Sequence, residues 1–230
     1  MDAYSREAPT GSRYGAVSML DLPGFGLCLW AVFYPHPQAV VIAALAIAPP
    51  VAVTVAFLSR GAISLNNRRG QSRRTIGWLL LFPAIALGTR AAIDHTLVDY
   101  QGALISAGLL GCFFAAAAVS SEHEFRTFAW VSGMVVLGAV WGWGGVVEAN
   151  ALLERSAVQI ARTTVTGKRH HAGYRSEAYE LEIAPTPWVE PGSLLAVNQA
   201  AYEKARVGSV VCLGLHTGSL GWRWYQSVAC

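Results

Sequence analysis

The sequence predicts a membrane α-helical bundle of four transmembrane helices followed by a small all-β C-terminal domain of about five strands, a barrel or rolled sheet. Composition is the first reason. The 230 residues are 53% hydrophobic and 13% charged, with a mean hydropathy of +0.39, whereas soluble domains carry roughly a quarter charged residues. Four stretches then reach the roughly 20 apolar residues that a bilayer core demands. Finally, from residue 157 onward, alanine and glycine runs give way to β-branched residues in alternation with polar ones.

Residues 1–37 read as a disordered tail, "MDAYSREAPTGSRYG", and an interfacial segment, "GFGLCLWAVFYPHP". The latter is too short to span, Pro35 and Pro37 stop any helix, and Trp30, Phe33 and Tyr34 suit the headgroup level. No basic region precedes it, unlike a secretory signal. The transmembrane domain, 38–147, holds spans near 38–58, 76–93, 103–119 and 128–147. Pro49 and Pro50 are expected to kink the first. A helical connector, 148–156, leads to the β domain, 157–230.

Arginine sets the orientation. Arg60, Arg68, Arg69, Arg73 and Arg74 lie between the first two spans with no acid among them, and short loops of this kind stay in the cytoplasm. Counting spans then puts residues 94–102 outside, 120–127 inside and the β domain outside. The expected location is the bacterial inner membrane, with the C-terminal domain on the exported, periplasmic side. The count requires translocation of a tail that carries Arg6 and Arg13. A miscount of one span would invert the tail or the β domain.

Ala103, Ala107, Gly111 and Ala115 recur every four residues in the third span, and Gly138 and Gly142 repeat that step in the fourth. Small side chains let helices approach closely. The stripes serve a tight bundle or, alternatively, self-association. The expected partners are the lipid bilayer and another envelope protein. A net charge of +3 without an arginine and aromatic stripe argues against nucleic acid.

In the β domain, "VQIARTTVTGKR" and "SEAYELEIA" read as strands around a turn at "HHAGY", "APTPWVEPG" as a loop, "LLAVN" as a short strand, and "QAAYEKARVG" as a helical turn or an edge. Val207 to Leu215 and Leu220 to Val228 form a closing hairpin around His-Thr-Gly-Ser. There Gly218 is expected to supply a positive φ. Alternation puts Leu220, Trp222 and Trp224 on one face and Gly221, Arg223 and Tyr225 on the other, with Trp224 in the core and Arg223 in solvent. The pattern Val207-Gly-x-Val-Val-Cys212, Gly218-x-Leu-Gly221-x-x-Trp224-Tyr225 and Cys230 resembles the ending of a group of uncharacterised bacterial multi-pass membrane proteins with a small C-terminal β domain. That resemblance implies an architecture and no activity.

Cys212 and Cys230 share the β domain, where an exported compartment permits a disulfide, the alternative being two free thiols. Cys28 and Cys112 lie in apolar stretches. The histidines, His36, His95, His123, His170, His171 and His216, lack the spacing of a zinc site. No phosphate loop and no hydrolase motif occurs. The sequence therefore predicts no enzyme, no cofactor and no metal. Arg90 and Asp94 stand four apart at a span's end, as do His95 and Asp99, and Glu148 ends the fourth span. The two spacings read most simply as i,i+4 pairs at the interface, and Glu148 as an interfacial residue. The expected function is non-catalytic, a membrane anchor that holds the β domain for binding or assembly at the cell envelope. The rival is a small transporter or channel-like protein in which Arg90, Asp94, Asp99 and Glu148 line an outward-facing vestibule.

Overall fold

The computed structural model describes residues 22–33, 37–60, 62–65, 74–121, 127–172, 177–228 and 230. The tail, Tyr34 to His36, Arg68, Arg69, Arg73, His123, Gly173 and Tyr174 lie outside the described residues. Four helices are long and apolar enough to cross a membrane: α2 (Gln38–Leu58), α3 (Gly77–Asp94), α4 (Tyr100–Ser121) and α5 (Phe128–Leu152). A six-stranded antiparallel sheet, curled into a half-barrel, follows them.

Helix α2 runs on through Pro49 and Pro50. Proline has no N–H, so the Ala46 carbonyl, four residues before Pro50, loses its helical donor. The Trp141 indole of α5 supplies the replacement, donating to Ala46 O at 3.1 Å. Inside a bilayer a freed backbone group must find such a partner, and here it ties two spans together. The stripes on α4 and α5 meet each other: a Cβ on Gly111 would come 2.6 Å from Gly138 O, and one on Gly142 2.5 Å from Ala107 O. Small residues are thus what lets these backbones touch.

The expected interfacial segment is a helix, α1 (Leu22–Phe33), packed on α3. Gly24 lies against Leu79, where a Cβ would be 2.6 Å from Leu79 Cα. The Phe25 and Phe82 rings meet edge to face at 5.6 Å, and Ala31 is fully buried. α1 therefore starts beside the first turn of α3. Gln38, in contrast, shares a cleft with Arg90 and Asp94 in its last turns. α1 thus begins near one end of α3 and α2 begins near the other.

β1 (Ile63–Ser64) and β2 (Arg74–Thr75) pair in parallel as a separate two-stranded sheet. The six-stranded sheet has the order β3-β8-β7-β4-β5-β6, made of β3 (Thr96–Leu97), β4 (Gln159–Ala172), β5 (Glu177–Ile183), β6 (Leu194–Val197), β7 (Val210–Thr217) and β8 (Arg223–Val228). A register shift between Val165 and Gly167 divides β4: its first half pairs with β7 and its second with β5. Such an irregularity bends a strand and helps a sheet curl. β4 also runs through His170 and His171, which were expected in a turn. β5 gives them partners, Tyr179 and Ala178, and the His170 ring stacks on Tyr179 at 4.8 Å. The sheet's core gathers Val165, Leu181, Ile183, Leu195, Leu213, Leu215 and Tyr225. "QAAYEK" is α6 (Gln199–Lys204), capped by Asn198.

Five of the strands come from the predicted β domain. The sixth, β3, belongs to the α3–α4 connection and pairs with Trp224 and Tyr225 of β8. Two residues carry no periodicity, so the sequence gives no hint of it.

Candidate functional site

The polar residues of the helix ends nearest the sheet converge on a joint between bundle and sheet. Three observations define it: a bidentate ion pair, an asparagine that holds the last turn, and a buried histidine and carboxylate cluster around Trp224.

Asp99 follows β3, and Arg223 opens β8. Arg223 Nε donates to Asp99 Oδ2 at 2.9 Å and its terminal nitrogen to Oδ1 at 2.8 Å, while the Arg223 backbone N–H donates to Oδ2 at 3.0 Å. Arg223 was expected in solvent. It is half-exposed and engaged on both oxygens because β3 brings Asp99 alongside. The guanidinium hydrogen bonds hold the Asp99 carboxyl down at about 2, against an ordinary 3.8, outweighing partial burial. A depressed folded-state pKa means that folding favours the ionised form, so its contribution is full above pH 4 or so and lost as pH falls toward 2. Arg223→Ala is expected to cost about 1 kcal/mol, because a bidentate pair exceeds a simple surface bridge while solvent still screens it. Chemical unfolding at pH 7 and pH 2.5 checks this: the gap between wild type and variant should shrink at the lower pH.

Asn150, in the last turn of α5, is fully buried. Its amide donates to Trp222 O at 3.0 Å, its side-chain oxygen accepts from Leu220 N at 3.0 Å, and its backbone oxygen accepts from Ser219 N at 2.9 Å. The helix end therefore clamps the β7–β8 turn. Gly218 does not supply the positive φ expected of it. That role falls to Gly221, at φ 82°. Gly218 is required for space, since a Cβ there would sit within 2.3 Å of the Asn150 side chain.

Trp224 forms the centre of the cluster. Its ring stacks on His216 at 3.9 Å and meets His95 edge-on at 4.7 Å. His216 Nδ1–H donates to the two Glu154 oxygens at 3.2 and 3.1 Å, and its Nε2 accepts from Gln226 at 3.4 Å. His95 Nε2–H donates to Glu148 at 3.4 Å. Glu148, expected at the interface, has a side chain only 1% exposed, because α5 continues past it to Leu152 and the sheet covers it. Arg90 and Asp94 form the expected i,i+4 ion pair at 2.5 Å.

Below the sheet, Gln38, Arg90, Asp94, His95, Trp224 and Gln226 line a cleft of about 360 Å³, closed on one side by Ala151 and Leu152. Of the four residues expected to form a vestibule, Arg90 and Asp94 line it. Glu148 is sealed behind His95, and Asp99 has gone to Arg223. Sequence reading missed His95, His216, Glu154 and Gln226 as members of one cluster. The alternation that pairs Trp222 with Trp224 was the only clue, because it fixes which face of β8 meets the helices. Among the described residues no group of three or more His, Cys, Asp or Glu could hold a metal ion.

Cys212 and Cys230 are joined by a disulfide, with Cα atoms 5.3 Å apart and a sequence separation of 18. It pins Cys230, beyond β8, to β7. Closing a loop of that length constrains the unfolded chain by about 3 kcal/mol. Reduced protein, or Cys230→Ser, is expected to unfold at correspondingly lower denaturant, with oxidised wild type as the reference. Tyr225, next to Trp224 but facing the sheet's core, has its phenol pushed up by burial.

No protein-family model, curated protein or solved structure matches the chain. What the joint can do rests on its own geometry.

Proposed function

We propose that the chain is a non-catalytic bacterial inner-membrane protein whose helices hold the β domain rigidly at the exported face, for binding or assembly with another envelope protein. One observation carries this reading: the domain is docked on the helices rather than tethered to them. β3 completes its sheet, Asn150 clamps its last turn, and Asp99 grips Arg223. A rigid mount suits presentation of a surface. The outer surface offers Val158, Ile160 and Val210, 48 to 65% exposed, as apolar contacts.

The arginine-rich connection begins at Arg60 and ends at Arg74, at the end of the bundle opposite the sheet, which supports a cytoplasmic location for that end. α1 begins at the same end, so Leu22 lies on the arginine side. A cytoplasmic amino terminus at that end would need no translocation of Arg6 and Arg13. An oxidising compartment for the sheet agrees with its disulfide.

Reporter fusions test the orientation. A reporter active only outside the cytoplasm should give activity after Cys230, and none at the amino terminus or between Asn66 and Arg73. Activity at the last two and none at the first would overturn the reading. A photo-crosslinking residue at Ile160 should capture a discrete envelope protein in cells, and its failure to capture any protein there would count against assembly through this face.

The rival transport reading draws on the cleft alone. Neutralising Arg90 and Asp94 would abolish a transport activity and leave the anchoring role intact.

A further inference from the structure

We infer that the cleft beneath the sheet binds a zwitterionic group carrying both a phosphate and an ammonium, the chemistry of a phosphatidylethanolamine headgroup. Arg90 and Asp94 present opposite charges side by side on the last turn of α3. An isolated anion there would meet Asp94, and an isolated cation would meet Arg90. A ligand with both charges satisfies both.

The hydrogen-bonding atoms agree. Arg90 Nε, Trp224 Nε1 and His95 Nδ1 are buried without a partner, and so is Glu148 Oε1 behind them. The His95 and Glu148 side chains are only 8% and 1% exposed. Buried polar atoms in this state are uncommon and costly. A phosphate is rich in acceptors and suits the Arg90 and Trp224 N–H groups. An ammonium has three donors for Asp94 and for the Gln38 and Gln226 side-chain oxygens.

Depth fits as well. Gln38 is the first residue of α2 and Asp94 the last of α3, so the cleft lies where span meets interface. Val40 and Ile93, beside them in sequence, are 53 and 68% exposed and offer apolar surface to acyl chains. The inference does not depend on which leaflet this is, and so stands apart from the orientation proposed above.

Native mass spectrometry of delipidated full-length protein, loaded with phosphatidylethanolamine or phosphatidylglycerol, tests it. Wild type should retain one phosphatidylethanolamine about tenfold better than phosphatidylglycerol, which has the phosphate without the ammonium. Asp94→Asn should lose that preference, and Arg90→Gln should weaken retention of both lipids. Soluble glycerophosphoethanolamine separates the sources: displacement of the lipid at equal concentration assigns the site to a free zwitterion, and no displacement assigns it to the membrane lipid. Equal retention of the two lipids by wild type would overturn the inference, whatever the variants do.

Discussion

Trp224→Ala is expected to destabilise the protein by about 3–5 kcal/mol, the range for deleting a large buried aromatic. The ring is 5% exposed and packs with Ala91, Leu97, Ala103 and Val147, residues drawn from α3, β3, α4 and α5. Its removal therefore opens the seam between sheet and helices as well as one strand. It also strips a stacked partner from His216 and an edge contact from His95, leaving both rings with carboxylates but without the apolar wall that fixes them. Thermal unfolding in detergent, followed by near-ultraviolet circular dichroism, should show the loss. Trp224→Phe should recover most of the packing but not the indole N–H. A Trp224→Ala protein as stable as wild type would mean that the sheet does not dock here.

Gly218→Val carries the second large expected effect, about 3 kcal/mol or more, for a reason of space. The added Cβ collides with Asn150, whose side chain cannot retreat without releasing Trp222 O and Leu220 N. Either the turn shifts or a fully buried amide loses its partners, and each costs on the scale of an unsatisfied buried polar group. Gly221→Ala isolates the backbone effect, since that residue has φ 82° and open space around it, and should cost about 1 kcal/mol. Asn150→Ala combined with Gly218→Val separates the two causes. If the clash is responsible, the double variant should be less destabilised than the sum of the two single ones.

The fold class was legible because its evidence is periodic. Long apolar runs give spans, and alternation around Trp222, Trp224 and Tyr225 gives a strand whose two faces meet different neighbours. The Arg90–Asp94 pair was legible too, since helical spacing alone brings the two together. What could not be read depends on contacts remote in sequence. Arg223 looked like a solvent residue until Asp99, 124 positions earlier, was found against it. Glu148 looked interfacial because nothing local reveals that a sheet caps its helix. Gly218 was recognised as constrained, but for turn geometry instead of the side chain of Asn150. A helix as short as α1 falls below a span-length threshold, so its packing against α3 could not be read from length.

The lent strand β3 also has a consequence for the order of events during synthesis. Its partner β8 comes after α4, α5 and β4 to β7, so all of these are made before the two can meet. Contacts this distant are late in folding, since the intervening chain must first be organised. The α3–α4 hairpin must therefore be inserted and waiting, with Thr96, Leu97 and Asp99 on the correct side, when β8 arrives. Cys230 follows β8, so the disulfide to Cys212 can close only after β8 has been made. A fragment starting at Gln159 would keep five strands yet expose the edge of β8 and the Trp224 face together. Expressed alone, it should self-associate through that bare edge, whereas the full chain carries its own template and completes the sheet at home.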